Sequence, residues 1–282
     1  MHKPCSSSFK PTVLVRQTRT FLNSYGEKEG LSAFHSLVLV VLILGACARI
    51  PGLPEHIAGK EAGPDIKELE LKICAPCSRE QAREWAVDAD DDGSSALKAA
   101  NCYAFLVKTG STKASRLADA QTGRRLAETA VMRHPTSGLA HYLYAYLTGL
   151  EAENDPLRGL ELVPVIEREA RIASELNPAL DQGGPYRMLG ELYLRAPGIP
   201  VSIGDVEKAV TCYRRALAAA PHSAENRLGL AEALLKTGED KEACMQLHDL
   251  LSDSPPAGSS RDTWRKALDL LKQLCTARAD DG

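Results

Sequence analysis

The chain has 282 residues and a formal net charge of −3, with its charges interspersed along the sequence. It carries neither a basic stripe nor an acidic tail, and we therefore expect no nucleic-acid partner. Beyond residue 77 the chain is rich in Ala, Leu, Glu and Arg and poor in aromatic residues, which favours helix over strand. A region of about 200 residues is long enough to bury a continuous hydrophobic core.

The strongest local signal near the N-terminus is an export sequence. Residues 37–46 form an apolar run that has the length of a signal-peptide core and is too short to span a bilayer alone. The run leads into Leu44-Gly45-Ala46-Cys47, which resembles the bacterial lipobox, whose cysteine thiol accepts a diacylglycerol. We therefore predict a signal peptide with a long n-region over 1–46 and lipidation of Cys47. The alternative is an uncleaved signal anchor over residues 31–50.

Residues 47–77 follow as a segment interrupted by prolines and glycines, which predicts a lipidated cysteine and a flexible tether. The tether would hold a helical domain, residues 78–282, away from a bacterial membrane on its periplasmic side. Ala48 follows the cysteine, and we expect the outer membrane rather than the inner one.

Within residues 78–282 the apolar spacing predicts helices and no sheet. Ser78 and Gln81 form a capping box at the start of the first helix. The last helix carries Trp264, Leu268, Leu271 and Cys275 on one face, which is typical of a helix that caps a repeat array. The predicted helices cover residues 78–90, 95–108, 114–133, 138–152, 157–176, 185–195, 204–219, 224–236, 239–252 and 260–278.

Four of these segments end alike, at Pro135, Pro178, Pro221 and Pro255, which are separated by 43, 43 and 34 residues. Alanines lie five residues before the first three prolines, where helices would approach closely, and each proline stops its helix. This pattern resembles the second helix of a tetratricopeptide repeat, and the preceding helices fit the first. We predict an all-α, tetratricopeptide-like array whose repeats end near residues 135, 178, 221 and 255, with a C-terminal capping helix over 260–278.

Residues 183–209 are more specific than a generic repeat, because Gly183-Gly184-Pro185 is followed by Leu189-Gly190, Ala196-Pro197-Gly198 and Gly204-Asp205. This stretch resembles a segment of the T-component (TatT-like) lipoproteins of tripartite ATP-independent periplasmic (TRAP) transporters. The resemblance covers roughly residues 94–255, and residues 183–209 carry most of it. The matching positions are Gly183, Gly184, Pro185, Arg187, Leu189, Gly190, Tyr193, Ala196, Pro197, Gly198, Pro200, Gly204 and Asp205.

The resemblance implies an accessory lipoprotein that binds a periplasmic solute-binding protein, and it implies a homo-oligomer, which we expect to be a trimer. The residues suit a projecting insertion between two helices, because Pro197 and Pro200 forbid a continuous helix and Gly204 allows a turn. Asp205 can then cap the following helix. The alternative is an elaborate turn without a binding role.

A possible ligand surface follows from the repeat register. The first helices of such repeats line the inner surface, and the predicted contacts there are Tyr142, Tyr146, Arg187, Glu191, Arg195 and Glu232. Flat aromatic side chains and an arginine suit a small organic carboxylate. The alternative is that the arginines and glutamates form an exposed i,i+4 ladder that only supports a helix.

The cysteines of an exported domain are expected to be oxidised. Cys74 and Cys77 could pair with each other, or one of them could bridge to Cys102. A redox dithiol enzyme is a further alternative, but the surrounding sequence lacks the βαβ pattern of a thioredoxin fold. We find no motif for catalysis, a metal or a cofactor.

The sequence therefore predicts a binding module rather than an enzyme. The first candidate is a TRAP-transporter accessory lipoprotein that binds a solute-binding protein and a small organic ligand. The second is a generic repeat scaffold of a cell-envelope assembly machine, which would share the helices but would not need residues 183–209.

Lipidation is directly testable. Mass spectrometry of the membrane-extracted protein should find an acylated N-terminus at Cys47, because the lipobox is cleaved immediately before its cysteine. A mature chain that still carried residues 1–46 would contradict the prediction.

Overall fold

Ten helices run through residues 72–89, 93–252 and 261–274, which are the residues that the computed structural model describes. The predicted signal peptide, Cys47 and most of the tether lie outside these ranges. Within the ranges the protein is all-α, as predicted; a single isolated bridge joins Gly198 to Gly204. The helices are α1 (Arg79–Val87), α2 (Ser94–Thr109), α3 (Lys113–Arg133), α4 (Gly138–Asn154), α5 (Gly159–Leu176), α6 (Gly184–Arg195), α7 (Val206–Ala219), α8 (Ala224–Thr237), α9 (Asp240–Ser252) and α10 (Arg261–Leu274).

Local sequence explains where five of the described helices begin. Ser78 and Gln81 form both hydrogen bonds of the predicted capping box on α1. Side chains of the same kind cap the starts of α3, α4, α7 and α8, where each accepts a hydrogen bond from a backbone N–H three residues ahead; they are Thr112, Ser137, Asp205 and Ser223. None of the helices in the described ranges is long and apolar enough to cross a membrane.

The helices pack in chain order, each against the one before it and the one after it. Contacts between alternate helices join α2 to α4, α4 to α6 and α6 to α8. The first helices of the repeats therefore lie side by side and form the inner layer of the array. The alanines that precede the prolines, Ala130, Ala173 and Ala216, are fully buried at the positions where helices meet.

The last helix packs as a cap. Trp264 and Leu271 join the hydrophobic cluster of α8 and α9, and Ala267 is fully buried there. Leu268, which the sequence placed on the same face, is instead exposed. The contact face of α10 is thus centred on Ala267, one residue before Leu268 of the predicted face.

The folded unit begins before the predicted boundary at Ser78. Cys74 is only 4% exposed and belongs to the main hydrophobic core. Its backbone N–H donates to Asn101 Oδ1 at 2.8 Å, and Asn101 Nδ2 donates to the carbonyl of Lys72 at 3.0 Å. The sequence predicts residues 72–77 as the end of the tether, but in the structure they are part of the helical domain.

A buried tyrosine sets the spacing between two repeats. The ring of Tyr213 on α7 lies between Gly190 on α6 and Gly229 on α8, one edge of the ring toward each glycine. Its hydroxyl donates to Glu191 Oε2 at 2.7 Å. A Cβ at Gly190 would lie 2.8 Å from the ring, and the opposite edge is closed by Gly229, so the ring has no room to move aside.

A Gly190→Ala substitution should therefore destabilise the protein. Overpacking of this kind costs about 1–3 kcal/mol, which exceeds the gain in helix propensity of about 0.5–1 kcal/mol. Urea denaturation followed by circular dichroism measures the difference. The matched control is Gly198→Ala, whose Cβ would meet only Gly204 O at 3.6 Å. Equal stabilities for the two variants would show that the Tyr213 ring does not restrict the side chain at position 190.

Candidate functional site

The six predicted ligand contacts lie on the first helices, but the structure divides them among separate networks. Tyr142 and Arg187 meet at Asp181, in the loop between α5 and α6. Arg187 Nη2 donates to Asp181 Oδ2 at 2.7 Å, and Tyr142 Oη donates to the same oxygen at 2.7 Å. Arg187 Nη1 also donates to Asn226 Oδ1 on α8 at 2.9 Å. The network ties this loop to α4, α6 and α8.

Arg187 is a buried cation that its surroundings keep charged. Burial alone would lower the pKa of its guanidinium, but the Asp181 carboxylate reverses this effect and the pKa is raised. The carbonyl oxygens of Asp181 and Gln182 accept two further hydrogen bonds from Arg187, at 3.0 and 3.2 Å. The side chain is therefore committed to the protein interior.

Tyr146 stacks on Tyr142, with 6.2 Å between the ring centroids. Each of the two tyrosines is only 1% exposed. The thiol of Cys74 donates to Tyr146 Oη at 3.7 Å, and the ammonium of Lys108 lies 5.8 Å from the centre of the Tyr146 ring. The aromatic end of the predicted surface is thus in contact with Cys74 of the N-terminal segment and with Lys108 of α2.

The charged candidates form a second network. Arg195 Nε donates to Glu191 Oε1 at 3.1 Å, and Arg195 also pairs with Glu232 on α8. Lys266 on α10 pairs with Glu232. These carboxylates are largely buried and bind partners on other helices, so the residues are not an exposed ladder on one helix. They link the last two repeats to the capping helix.

The prediction of one open ligand surface is therefore wrong for these residues. Tyr142, Tyr146 and Arg187 are buried, and a ligand could reach them only if the packing opened. Because the partners come from distant parts of the chain, the repeat register alone could not show that the positions are covered.

The cysteine alternatives are resolved in favour of a bridge to α2. Cys77 is joined to Cys102, with 5.8 Å between the Cα atoms. Cys74 and Cys77 do not pair with each other, so the arrangement expected of a redox dithiol enzyme is not formed. Within the described ranges no group of three or more His, Cys, Asp or Glu residues is placed to hold a metal ion.

The insertion between α6 and α7, residues 196–205, is closed at its base by backbone hydrogen bonds. Asp205 N donates to Tyr193 O at 2.9 Å, and Gly204 N donates to Pro197 O at 2.8 Å. A Cβ at Gly204 would collide with the carbonyl of Ala196, which explains the glycine at this position. Asp205 then caps α7 by accepting from Lys208 N at 3.0 Å.

The tip of the insertion, residues 198–201, presents apolar side chains to solvent. Ile199 is 87% exposed and Val201 is 54% exposed, with Pro200 exposed between them. Val201 N donates to Gly198 O at 3.1 Å, which folds the tip into a tight turn. The sequence predicts the insertion but not a role for Ile199 and Val201, whose signal is the presence of aliphatic residues inside a Pro- and Gly-rich turn.

The buried contact between His141 and Glu169 was also not predicted from the sequence as a pH-sensitive element. His141 Nδ1 lies 2.5 Å from Glu169 Oε2, and His141 Nε2 lies 2.9 Å from Pro135 O. Both ring nitrogens of His141 therefore face acceptors, a carboxylate oxygen and a backbone carbonyl oxygen. Burial alone would raise the pKa of Glu169, but the hydrogen bonds from His141 and Arg168 outweigh it, and the pKa is lowered.

Residues 203–256 match the family model of the tetratricopeptide repeat. The match covers α7, α8 and α9, the part of the chain in which the predicted repeat is most regular. No curated protein matches the chain. Together with the helix pairs described above, the match defines an all-α, tetratricopeptide-like helical array. Arrays of this kind typically serve as non-catalytic scaffolds for protein–protein interaction.

A Glu169→Gln substitution tests whether the buried Glu169 carboxylate stabilises the fold. The folded-state pKa lies below the unfolded value of about 4.3, so the carboxylate stabilises the fold fully above that pH and loses its effect as the pH falls through the folded-state pKa. We expect the variant to be less stable by about 1–3 kcal/mol near pH 6, and the difference should shrink as the pH falls below about 4.

Urea denaturation at a series of pH values measures this difference. Glu175→Gln, at an exposed position of the same helix, is the control and should leave stability unchanged across the range. A loss for Glu169→Gln that stayed constant from neutral to acidic pH would show that the Glu169 carboxylate is not ionised in the folded protein at neutral pH.

Proposed function

We propose that the chain is a lipid-anchored, periplasm-facing accessory component of a TRAP-type transporter that binds the transporter's solute-binding protein. The lipobox at Cys47 supports the anchor, and the resemblance of residues 183–209 to the T-component lipoproteins supports the partner. The observation that carries the proposal is the tip of the insertion, because it lies within the resembling segment and presents the side chains of a contact surface.

The physical case for the tip rests on the combination of exposure and a fixed backbone. Ile199 and Val201 expose aliphatic surface that would be more stable if buried. The hydrogen bonds at the base of the insertion hold both residues in place before any partner binds. Because its backbone is already fixed, the apolar tip loses little conformational entropy on docking. Side chains of this kind serve as strong anchors in protein interfaces.

The side chains around the tip make it selective for a protein partner. Asp205 and Lys208 pair with each other at 3.4 Å beside the insertion, and Lys208 lies 5.6 Å from the centre of the Tyr193 ring. Polar groups thus lie at the base of the insertion below its apolar tip, and an apolar contact beside polar groups is typical of a protein interface. We infer that the partner offers an apolar cleft that receives Ile199 and Val201.

The structure gives less support to a small-molecule ligand. The residues predicted to bind one are engaged with each other inside the array. The generic-scaffold alternative accounts for the helices but assigns no role to the insertion. The expected trimer stays a prediction from the resemblance alone.

Substitution of the tip tests the proposal. The solute-binding protein encoded with a TRAP permease in the same genome should bind the detergent-solubilised mature chain in isothermal titration calorimetry. Replacement of Ile199 and Val201 by serine should weaken binding about 10- to 100-fold, because fully burying one such side chain contributes about 1.5–3 kcal/mol. Thermal unfolding should be unchanged, since both side chains are exposed.

The matched control is Leu157→Ser. Leu157 is 79% exposed in the turn before α5 and lies outside residues 183–209, which carry most of the resemblance. This variant should bind as the parent does. If the parent bound no TRAP solute-binding protein, the transporter assignment would fail and a generic scaffold would remain. If the tip variant bound as tightly as the parent, the tip would not be the contact.

A further inference from the structure

Tyr193 on α6 is contacted by side chains of the helices before and after it. Its hydroxyl donates to Glu167 Oε1 on α5 at 2.6 Å, and the ammonium of Lys208 on α7 lies 5.6 Å from the centre of its ring. Tyr186 lies seven residues before Tyr193, on the same side of α6 and about 10 Å away. The guanidinium of Arg215 on α7 lies 5.8 Å from the centre of the Tyr186 ring. Both rings therefore lie between α5 and α7.

The two tyrosines form the floor of a surface groove, the α6 groove. Both rings pack on the main core and are half-buried, so part of each remains accessible. Lys208 and Arg215, which are seven residues apart, line the α7 wall of the groove. Glu167 and Arg171, which are four residues apart, line its α5 wall. Arg171 is close enough to oppose the rise in the pKa of the Tyr193 hydroxyl that burial and Glu167 cause.

The cations of the α6 groove outnumber the carboxylates that are available to them. Glu167 accepts a hydrogen bond from a tyrosine hydroxyl, and Asp205 pairs with Lys208 at 3.4 Å. Among the residues that the structure describes, neither Arg171 nor Arg215 forms an ion pair. The groove therefore has positive charge that no carboxylate of the described chain neutralises.

The neighbouring Arg214 shows how an arginine of this array is paired when it faces another helix. It binds Glu242 on α9 at 2.9 Å. Arg195 and Arg124 likewise bind carboxylates on other helices. Arg215, one residue beyond Arg214, instead lies over a partly accessible aromatic ring. Unpaired guanidinium groups beside flat aromatic surface suit a peptide segment that carries carboxylates.

The α6 groove is continuous with the insertion between α6 and α7. Tyr193 O accepts from Asp205 N at the base of the insertion, and Lys208 follows three residues later. The groove therefore starts at this base and extends about 10 Å along α6 from there. A partner that receives Ile199 and Val201 in an apolar cleft would lie next to the end of the groove.

We propose that the α6 groove binds an acidic segment of the same partner protein, beside the cleft that receives the tip. The inference rests on the proposed function and gives the chemistry of a second contact with that partner. Carboxylates of the segment pair with Arg171 and Arg215, and its apolar groups pack on the two tyrosine rings. The tip provides an apolar anchor, and the charges of the groove orient the partner and accelerate its association.

Charge reversal tests the groove in the detergent-solubilised mature chain. Binding of the solute-binding protein encoded with a TRAP permease is measured by isothermal titration calorimetry at about 50 and about 300 mM sodium chloride. Replacement of both Arg171 and Arg215 by glutamate should raise the Kd at least about ten-fold at the lower salt concentration, because repulsion replaces attraction. The Kd of the parent should rise about ten-fold with salt, whereas that of the variant should not rise, since salt screens repulsion as well as attraction.

The matched control is the double substitution of Arg83 and Arg125 by glutamate. Both arginines are exposed, on α1 and α3, and the change in net charge is the same as in the groove variant. The control should weaken binding less than about three-fold, because charges farther apart than the Debye length are largely screened. An equal loss in the two variants would show that net charge alone governs binding and would overturn the proposal.

The outcomes separate this inference from the proposed function. If the parent and the tip control bound the partner and the groove variant bound it equally well, the transporter assignment would stand and the groove would be disproved. If the parent bound no TRAP solute-binding protein, the transporter assignment would fail, and the inference would fail with it.

Cys212 provides a second measurement, which needs no substitution. It lies on α7 between Lys208 and Arg215, on the same side of the helix, and is half-buried. Burial raises the pKa of its thiol to about 11, so its reaction with N-ethylmaleimide is slow and is followed by peptide mass spectrometry. Saturating partner should slow the labelling of Cys212 at least about five-fold in the parent, and it should leave the rate unchanged in the groove variant.

The same labelling experiment identifies other occupants of the groove. Protection of Cys212 that grew with the concentration of the chain alone would show a second copy in the groove. Protection by phosphatidylglycerol vesicles in the absence of the partner would show that the groove faces a membrane surface. Either result would overturn the proposal, and so would full labelling of Cys212 in the parent saturated with partner.

Discussion

The close approach of neighbouring helices is the constraint on which the rest of this protein depends. Tyr213 fills the space between α6 and α8 only because both helices carry a glycine where its ring passes. Fully buried alanines play the same part in other pairs, including Ala127, Ala170 and Ala231. With larger side chains at these positions the inner helices would separate, and the polar networks that cross from one repeat to the next would lose their geometry.

Those networks give the array a specific arrangement. Helices that meet through alanine and glycine bury little distinctive surface, and similar pairs could slide along one another. Arg187 fixes α6 to both Asp181 and Asn226, and Arg195 fixes it to Glu232. The bonds to Asn226 and Glu232 join parts of the chain that are 39 and 37 residues apart in sequence. The ion pairs therefore define the register between repeats, a use of buried charge that need not add net stability.

The fold could be predicted because its signals are local. Caps such as Ser78, prolines such as Pro178 and alanines such as Ala173 lie within one turn of the features that they determine. The candidate site could not be predicted in the same way. The first-helix positions were identified correctly, but whether a side chain there is open depends on what covers it. Tyr146 is covered by Cys74, which belongs to a segment that reads as a linker by composition. The exposure of a side chain depends on contacts with residues that are distant in sequence, and repeat periodicity contains no information about such contacts.

The closed base of the insertion has a consequence for how the molecule can change. The hydrogen bond from Asp205 N to Tyr193 O, at 2.9 Å, joins the end of α6 to the start of α7. The cost of closing a loop grows only with the logarithm of its length. The residues above this bond can thus vary in number and chemistry without altering the pitch of the array. Residues 197–204 constitute an exchangeable module, and a new specificity could be built on this scaffold by replacing that module alone.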